Sequence, residues 1–461
     1  MRAIAIGDCK RKLPVCFFSF LFFGILYVWF GVGIYPDSET YLNMVAEREP
    51  LYPLFLHLCR NTELAAVLQN VLAACSVAYF TCTMRKLFLE HLPKRWQPIC
   101  TFVLWGCALM PHLMTPLGSA SHMVLSNAIL TEGLTYPLYL FFSTELIRGV
   151  LEIEWRTKGT ALLRALLHVF LLLLLRNQML TTLMIWIIVA GYVAVVQKTS
   201  VKKKICRCAG ILLIVAVVIT VKGLCFDAYY DQYCNGYNGS ELGNVGFLAN
   251  TLYLADNTKD VIMENQELSD AYQKMLVARN SEQLFYVAKR DPLARALHYE
   301  DCYDPLKFDV IQPVLERKLY DAGVTKQRVN AEVYHQCGEL FRALLPGTIG
   351  DYIRLFFDNL CLGLIRTVSL PRGIFVAFGI LIYVTLMGLL LWKQMRKRWL
   401  AVRLLMVLSL GMTLLHVAAT SAVIMCLSRY VIYNTTLLYS AGFLALMEEI
   451  QILWERKKHG I

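Results

Sequence analysis

Residues 13–34 read LPVCFFSFLFFGILYVWFGVGI, an apolar run from Leu13 to Ile34 without a single charge. As a helix rising 1.5 Å per residue it reaches about 33 Å, enough for a hydrocarbon core of roughly 30 Å. It is too long for the core of a signal peptide and lacks a small-residue cleavage site, so it is expected to remain as a membrane helix. Working outward, similar runs recur near residues 64–82, 99–114, 123–147, 162–175, 179–196, 209–226, 373–392, 400–425 and 432–447. The whole chain agrees: 57% of its 461 residues are apolar, 17% are charged and the mean hydropathy is +0.50. An ordinary soluble domain carries roughly 25% charged residues, so a water-soluble enzyme is excluded. The expected class is an all-α polytopic membrane protein with about ten transmembrane helices.

Lysine and arginine outnumber acids 45 to 34. That excess would suit nucleic acid, but 25 of the 45 basic residues fall in six clusters at alternate junctions: residues 2–12, 85–95, 148–164, 198–207, 393–403 and 456–458. With ten spans these clusters share one side, and the positive-inside rule makes that side, with both termini, cytoplasmic. The charge is therefore an orientation signal with some attraction for anionic lipid, and no nucleic-acid partner is expected.

The opposite side carries one long polar block, about residues 229–355, in which acids outnumber bases 18 to 13 over residues 228–355. Apolar residues at Leu268, Tyr272, Met275 and Leu276, then at Val329, Val333, Leu340, Phe341 and Leu344, follow a helical period, so a mainly helical outer domain is expected. Asn235, Gly236, Asn238 and Gly239 mark a turn-rich start. Pro346 and Gly347 are expected to separate the block from an amphipathic interfacial stretch, Ile349 to Leu364. Three parts follow: a membrane module over 1–228, the outer block over 229–355, and an interfacial helix with further spans over 356–461. Most of the fifteen cysteines lie in apolar runs and read as packing. Cys234, Cys302 and Cys337 lie in the outer block, where a Cys302–Cys337 disulfide is one reading and free thiols the other. The inner pair Cys206 and Cys208 lacks partners for a zinc site.

The informative loop is Tyr35 to Thr62. It places Asp37 and Glu39 directly after the first span, followed by Arg48 and an apolar segment punctuated by Pro50 and Pro53. Carboxylates at a lipid–water boundary gain basicity through partial desolvation, which suits a general base. The alternative is that both acids merely solvate an exposed loop.

Pro36-Asp37-Ser38-x-x-Tyr41-Leu42, followed by Arg48-x-Pro50-x-Tyr52-Pro53-Leu-Phe-Leu, resembles the first outer loop of GT-C fold membrane glycosyltransferases. The similarity is to the bacterial branch related to protein O-mannosyltransferases and lipid A aminoarabinosyltransferases. Thr131-Glu132-x-Leu134, Leu175-Arg176-Asn177-Gln178 and Ser428-Arg429-Tyr430 fit the same order and the same outer side. The resemblance covers roughly residues 13–230 and 345–450. It implies a polyprenyl-phosphate sugar donor, a lipid or glycan acceptor of the cell envelope, and an acidic residue of the first outer loop that activates the acceptor hydroxyl. Asp37 occupies the family's aspartate position. The family's doubled acidic pair is replaced by Asp37-Ser38-Glu39, so either carboxylate is a candidate base.

A departing phosphate needs cations, and those at outer boundaries are Arg48, Arg176, Lys222, Arg354 and Arg429. Snorkelling also explains Lys222, and membrane-boundary anchoring also explains Arg176 and Arg429. Glu132 contacts acceptor or metal, or favours its helix N-terminus. Tyr41, Tyr52 and Tyr430 are candidates for a sugar site, against the usual reading of membrane aromatics as packing. A divalent metal, with help from His112 or His122, is open. The rival classes are a transporter or lipid flippase, a polysaccharide polymerase or ligase, and a non-catalytic scaffold. A bacterial plasma membrane is the expected location.

Overall fold

A computed structural model describes residues 2–45, 48–118, 122–152, 154–197, 199–234, 236, 243–256, 266–287, 291–391 and 397–458. Glu47, Asn235 and the 237–242 stretch therefore lie outside the described residues. In chain order the helices are α1 (Arg2–Phe30), α2 (Ser38–Leu42), α3 (Leu51–Cys59), α4 (Thr62–Met84), α5 (Gln97–Gly118), α6 (Glu132–Leu151), α7 (Trp155–Leu175), α8 (Leu180–Val196) and α9 (Val201–Tyr233). The outer block contributes α10 (Gly243–Leu254), α11 (Gln266–Ser281), α12 (Pro292–Pro305) and α13 (Gln312–Asp321). The chain returns through α14 (Lys326–Val368), α15 (Ile374–Leu391), α16 (Lys397–Ser421), the short α17 (Ser428–Val431) and α18 (Thr435–Lys458). Among the described residues, nine helices are long and apolar enough to cross a membrane. The protein is an all-α polytopic membrane protein.

The first expected span ends at Phe30 rather than Ile34. Gly31, at φ +62°, closes α1 by donating its N–H to the Tyr27 carbonyl at 2.9 Å. The chain beyond it is tied to the 122–131 stretch. Gly33 N donates to Asn127 O at 2.9 Å, Ile129 N donates to Gly33 O at 2.8 Å, and the Asn127 amide donates to Gly31 O at 2.8 Å. These bonds set the Asp37 loop beside the start of α6.

The expected span over 123–147 is corrected by the same contacts. Residues 122–131 carry no α-helix, and helix begins only at Glu132. Buried backbone outside a helix must find partners in neighbouring elements. Here α4 supplies them: the Gln69 amide donates to Ser126 O at 3.2 Å and Ala128 O at 3.0 Å, and the Asn70 amide donates to Ser126 O at 3.1 Å. At Gly133 a Cβ would collide with the Gln69 amide, so the close approach of α4 and α6 needs glycine there. The remaining α6, packed against α4 and α7, is buried along most of its length and too polar to count among the nine.

The outer block has its own core, in which Leu268, Tyr272, Met275, Val329, Val333, Leu340 and Leu344 are buried together. The expected break at Pro346 and Gly347 does not occur. Proline costs a helix one hydrogen bond but does not end it where neighbours hold both sides. Here α14 runs through Pro346 for 43 residues while packing against α10, α12, α13 and α16. The Ile349 to Leu364 stretch is thus the middle of a helix joining outer block to membrane part, and a boundary at 355/356 falls inside that helix. Cys234, Cys302 and Cys337 are buried, and no disulfide joins Cys302 to Cys337, so that reading is set aside.

Candidate functional site

Four separated segments meet at the end of α1. Ser38 Oγ accepts from Tyr35 N at 2.9 Å and Thr40 Oγ1 donates to Asp37 O at 2.7 Å, which turns the loop into α2 and presents the Asp37 carboxylate. Arg48 reaches back across this turn: Nε donates to Thr40 Oγ1 at 2.7 Å, Nη1 to Tyr41 OH at 3.3 Å and Nη2 to Asp37 Oδ1 at 3.0 Å. Its guanidinium carbon lies 4.5 Å from the centre of the Tyr41 ring.

The second segment is held by the outer block. Tyr352 OH donates to Ala422 O at 2.9 Å, the Asn250 amide to Val423 O at 3.2 Å, and Arg366 Nη1 to Cys426 O at 2.9 Å while pairing with Glu300 at 2.6 Å. Directly after this clamped stretch, Arg429 Nη2 donates to Asp37 Oδ2 at 3.3 Å and to Tyr430 OH at 3.0 Å. Its Nε stands 3.8 Å from Glu132 Oε1.

Glu132, only 2% exposed, is the third contribution. Arg176 Nη1 pairs with its Oε1 at 2.9 Å and also donates to Tyr433 OH at 3.1 Å. Tyr430 stacks with both arginines, its ring centre 5.0 Å from Arg176 and 4.9 Å from Arg429. Arg48, Asp37, Arg429, Glu132 and Arg176 thus form one chain of alternating charge, three cations to two anions. All five were named from sequence, and the fold brings them together across 392 residues between Asp37 and Arg429.

The remaining candidates divide. Glu39 is exposed; its backbone carbonyl accepts from Asn43 N at 2.9 Å, and among the described residues its carboxylate makes no hydrogen bond or ion pair. Tyr41 is buried beneath Arg48; burial pushes its hydroxyl up to about 12. Tyr52, at 0% exposure, packs edge-on behind Tyr41 and donates to Gln69 Oε1 at 2.8 Å, so it supports the loop and cannot touch a sugar. Lys222 donates to Asn177 Oδ1 at 2.9 Å, and Asn177 N donates to Glu49 Oε1 at 2.9 Å. Arg354 pairs with Asp351 at 3.6 Å on an exposed face and does not join the network. His112 is wedged between the Phe23 and Tyr136 rings, and His122 bonds to Pro116 O at 2.9 Å. Among the described residues no group of three or more His, Cys, Asp or Glu side chains is arranged to hold a metal ion.

The expectation that desolvation makes Asp37 basic is overturned. Burial does push its carboxyl up, but the attraction and hydrogen bonds of Arg48 and Arg429 together outweigh burial and hold it below the ordinary carboxylate value. In this state Asp37 is an anion and a weak base.

Sequence reasoning missed Lys307 and His416, and gave Gln178 a place in a motif but no role. Lys307 sits on the π-helical turn Leu306–Ile311 of the outer block, 5.3 Å from the Tyr303 ring centre and 4.5 Å from that of Phe308. Burial lowers its pKa; Asp304 and Asp37 oppose that shift, while Arg48 and Arg429 add to it, which puts the ammonium within electrostatic reach of the network. Nothing local distinguishes it from the other bases of the block. Gln178 donates to Tyr430 O at 3.1 Å and to Thr420 Oγ1 at 2.7 Å, and His416 Nε2 lies 2.9 Å from Tyr430 O, so these two hold Tyr430 in place.

A second ionic cluster sits thirteen residues along α6, about 20 Å from Glu132 by helical rise. Glu145 accepts from Tyr79, and Arg148 and Arg164 approach it at 3.2 and 3.4 Å. Buried Tyr136, Tyr139 and Phe142 separate the two clusters. Comparison of the chain with family models, with curated proteins and with solved structures finds no match in any of the three.

Proposed function

We propose that this protein is an integral membrane glycosyltransferase of GT-C type, which moves a sugar from a polyprenyl-phosphate donor to a hydroxyl of a cell-envelope lipid or glycan at the non-cytoplasmic face. The observation that carries this reading is the alternating chain of charges: one positive charge in excess, at the loop where the first span ends, suits a lipid-borne phosphate.

Arg429 is the member to recruit. It is shared between Asp37 at 3.3 Å and Glu132 at 3.8 Å, both looser than the 2.9 Å pair of Arg176 with Glu132. A donor phosphate that draws Arg429 to itself takes a counter-charge from Asp37, and the carboxylate's basicity rises on binding. The acceptor O–H proton then passes to Asp37 as the oxygen bonds to the anomeric carbon. The anomeric C–O bond to phosphate breaks on the opposite face, its electron pair leaves with polyprenyl phosphate, and configuration inverts. Arg176 keeps Glu132 ionised and in place, and Glu132 holds Arg429 on its other side. In this reading both termini are cytoplasmic and the outer block is extracytoplasmic, in a plasma membrane of bacterial kind.

The test is binding of polyprenyl phosphate against the matching polyprenol by the purified protein. The phosphate is expected to bind more tightly, and Arg429→Gln to weaken it by about 30- to 150-fold, the equivalent of about 2–3 kcal/mol for a charged hydrogen bond. Equal affinity for phosphate and alcohol would exclude a lipid-phosphate donor.

A further inference from the structure

Polar contacts tie α9 to its neighbours near both ends. At the inner end the Arg207 guanidinium carbon lies 4.3 Å from the centre of the Trp155 ring, at the start of α7, and Arg207 donates to Gln197 Oε1 just past α8. At the outer end Lys222 donates to Asn177 Oδ1 at 2.9 Å, just past the end of α7. Between these anchors Val218 of α9 and Leu163, Arg164, Leu166, Leu167 and Phe170 of α7 line a cleft of about 430 Å³. Arg164 turns its guanidinium to Glu145 at 3.4 Å, and the other five are apolar. Val218 and Leu166 are buried, whereas Leu163 at 64% and Leu167 at 57% exposure open the cleft to the surroundings of the helices, where lipid chains lie.

The cleft leads to the charged network. By helical rise its α7 lining runs from about 8 Å to about 18 Å below the end of that helix. Above it stands Asn177, which follows Arg176 in the chain and donates its backbone N–H to Glu49 Oε1 at 2.9 Å. Glu49 in turn follows Arg48, so the residues at the mouth adjoin two arginines of the network in sequence. The dimensions choose the occupant. A packed helix about 10 Å across would displace about 800 Å³ over this length, roughly twice the cleft. A single hydrocarbon chain is thin enough to lie in it.

Resting on the lipid-donor reading, we propose that the cleft between α7 and α9 holds the polyprenyl chain of the donor, which descends past Lys222 while its phosphate stays at the charged network. The network then selects the phosphate and the cleft selects the length of the chain. A head group with a short chain meets only the first of these.

Purified protein in phospholipid nanodiscs is given a long polyprenyl phosphate or a counterpart of two isoprene units, whose chain ends above Leu167. The long chain is expected to bind about tenfold more tightly or better, because more apolar surface leaves water. Leu167→Trp and Leu163→Trp place bulk at the open side of the cleft and touch no member of the network. Each should remove most of the difference and leave binding of the short phosphate unchanged. A long polyprenyl phosphate carrying a diazirine on its third or fourth unit is expected to label residues 163–170 or 211–218 on irradiation. Equal loss of both ligands in the variants, or loss of neither, would overturn the proposal, the second being the result if bulk phospholipid filled the cleft. So would label confined to other helices. Failure of the donor reading itself shows separately, as equal binding of phosphate and alcohol, and the chain-length comparison made with the alcohols still reads the cleft.

Discussion

Asp37 is held by two arginines, and its basicity depends on whether they stay. In the free protein its carboxyl lies below the ordinary value, burial being outweighed by Arg48 and Arg429. A lowered pKa means the ion pair contributes stability above the unfolded value, about 3.9, and loses it as pH falls through the folded value. If bound phosphate draws Arg429 away, the pKa rises. The acid limb of kcat, which reports the bound state, should then lie at higher pH than the acid limb of kcat/KM, which reports the free enzyme. Coincident limbs in a pH–rate study would show that the donor leaves the Asp37 environment unchanged. Arg176 has a different part despite sharing Glu132 with Arg429. Its removal leaves a carboxylate that is 2% exposed with only the looser Arg429 contact at 3.8 Å as an ion pair, and breaking a buried pair costs about 3–5 kcal/mol. Arg176→Gln is expected to lower thermal stability sharply, and adding Glu132→Gln should recover most of the loss. A thermally unchanged Arg176→Gln would free this arginine for a direct role at phosphate.

Elements explain which parts of this arrangement are readable in the sequence. The Asp37 loop, Arg176 and Arg429 each lie beside an apolar run, where a charge stands out, so the network's members were legible one by one. Their joining was not. It depends on the Gly33 and Asn127 bonds beside α1 and on the outer block's grip on Ala422, Val423 and Cys426, which only the folded chain supplies. Residues 123–131 misled for a related reason: their apolar character fits a span, but Gln69 and Asn70 on α4 satisfy their backbone instead. Pro346 misled because neighbouring helices hold α14 together on both sides of it. Gly133 tests the α4–α6 contact. Gly133→Ala should push the Gln69 amide off Ser126 O and Ala128 O and destabilise by about 1–3 kcal/mol, as overpacking does, measured by thermal unfolding. A neutral result would mean that the two helices part without cost.

At the scale of the whole molecule, hydropathy and charge distribution give the class, because a bilayer permits little besides helices and closed barrels. They leave function open between transfer and transport. Between the two ionic clusters on α6, Tyr136, Tyr139 and Phe142 are buried, the Tyr136 hydroxyl bonding to Ala108 O and Thr436 and the Tyr139 hydroxyl to Asn434. The charge network sits at one end of the spans, with the Lys307 ammonium near enough for Asp37, Arg48 and Arg429 to act on it electrostatically. The most direct test is sugar transfer from a purified polyprenyl-phosphate sugar by wild type, Asp37→Asn and Glu39→Gln, with lipid-phosphate binding measured alongside. Wild type is expected to transfer, Asp37→Asn to lose about 100-fold or more in turnover while still binding lipid phosphate, and Glu39→Gln to stay near wild type. Full turnover in Asp37→Asn would contradict its role as the base, and full turnover in a variant carrying both Asp37→Asn and Glu39→Gln would remove the first-loop mechanism altogether.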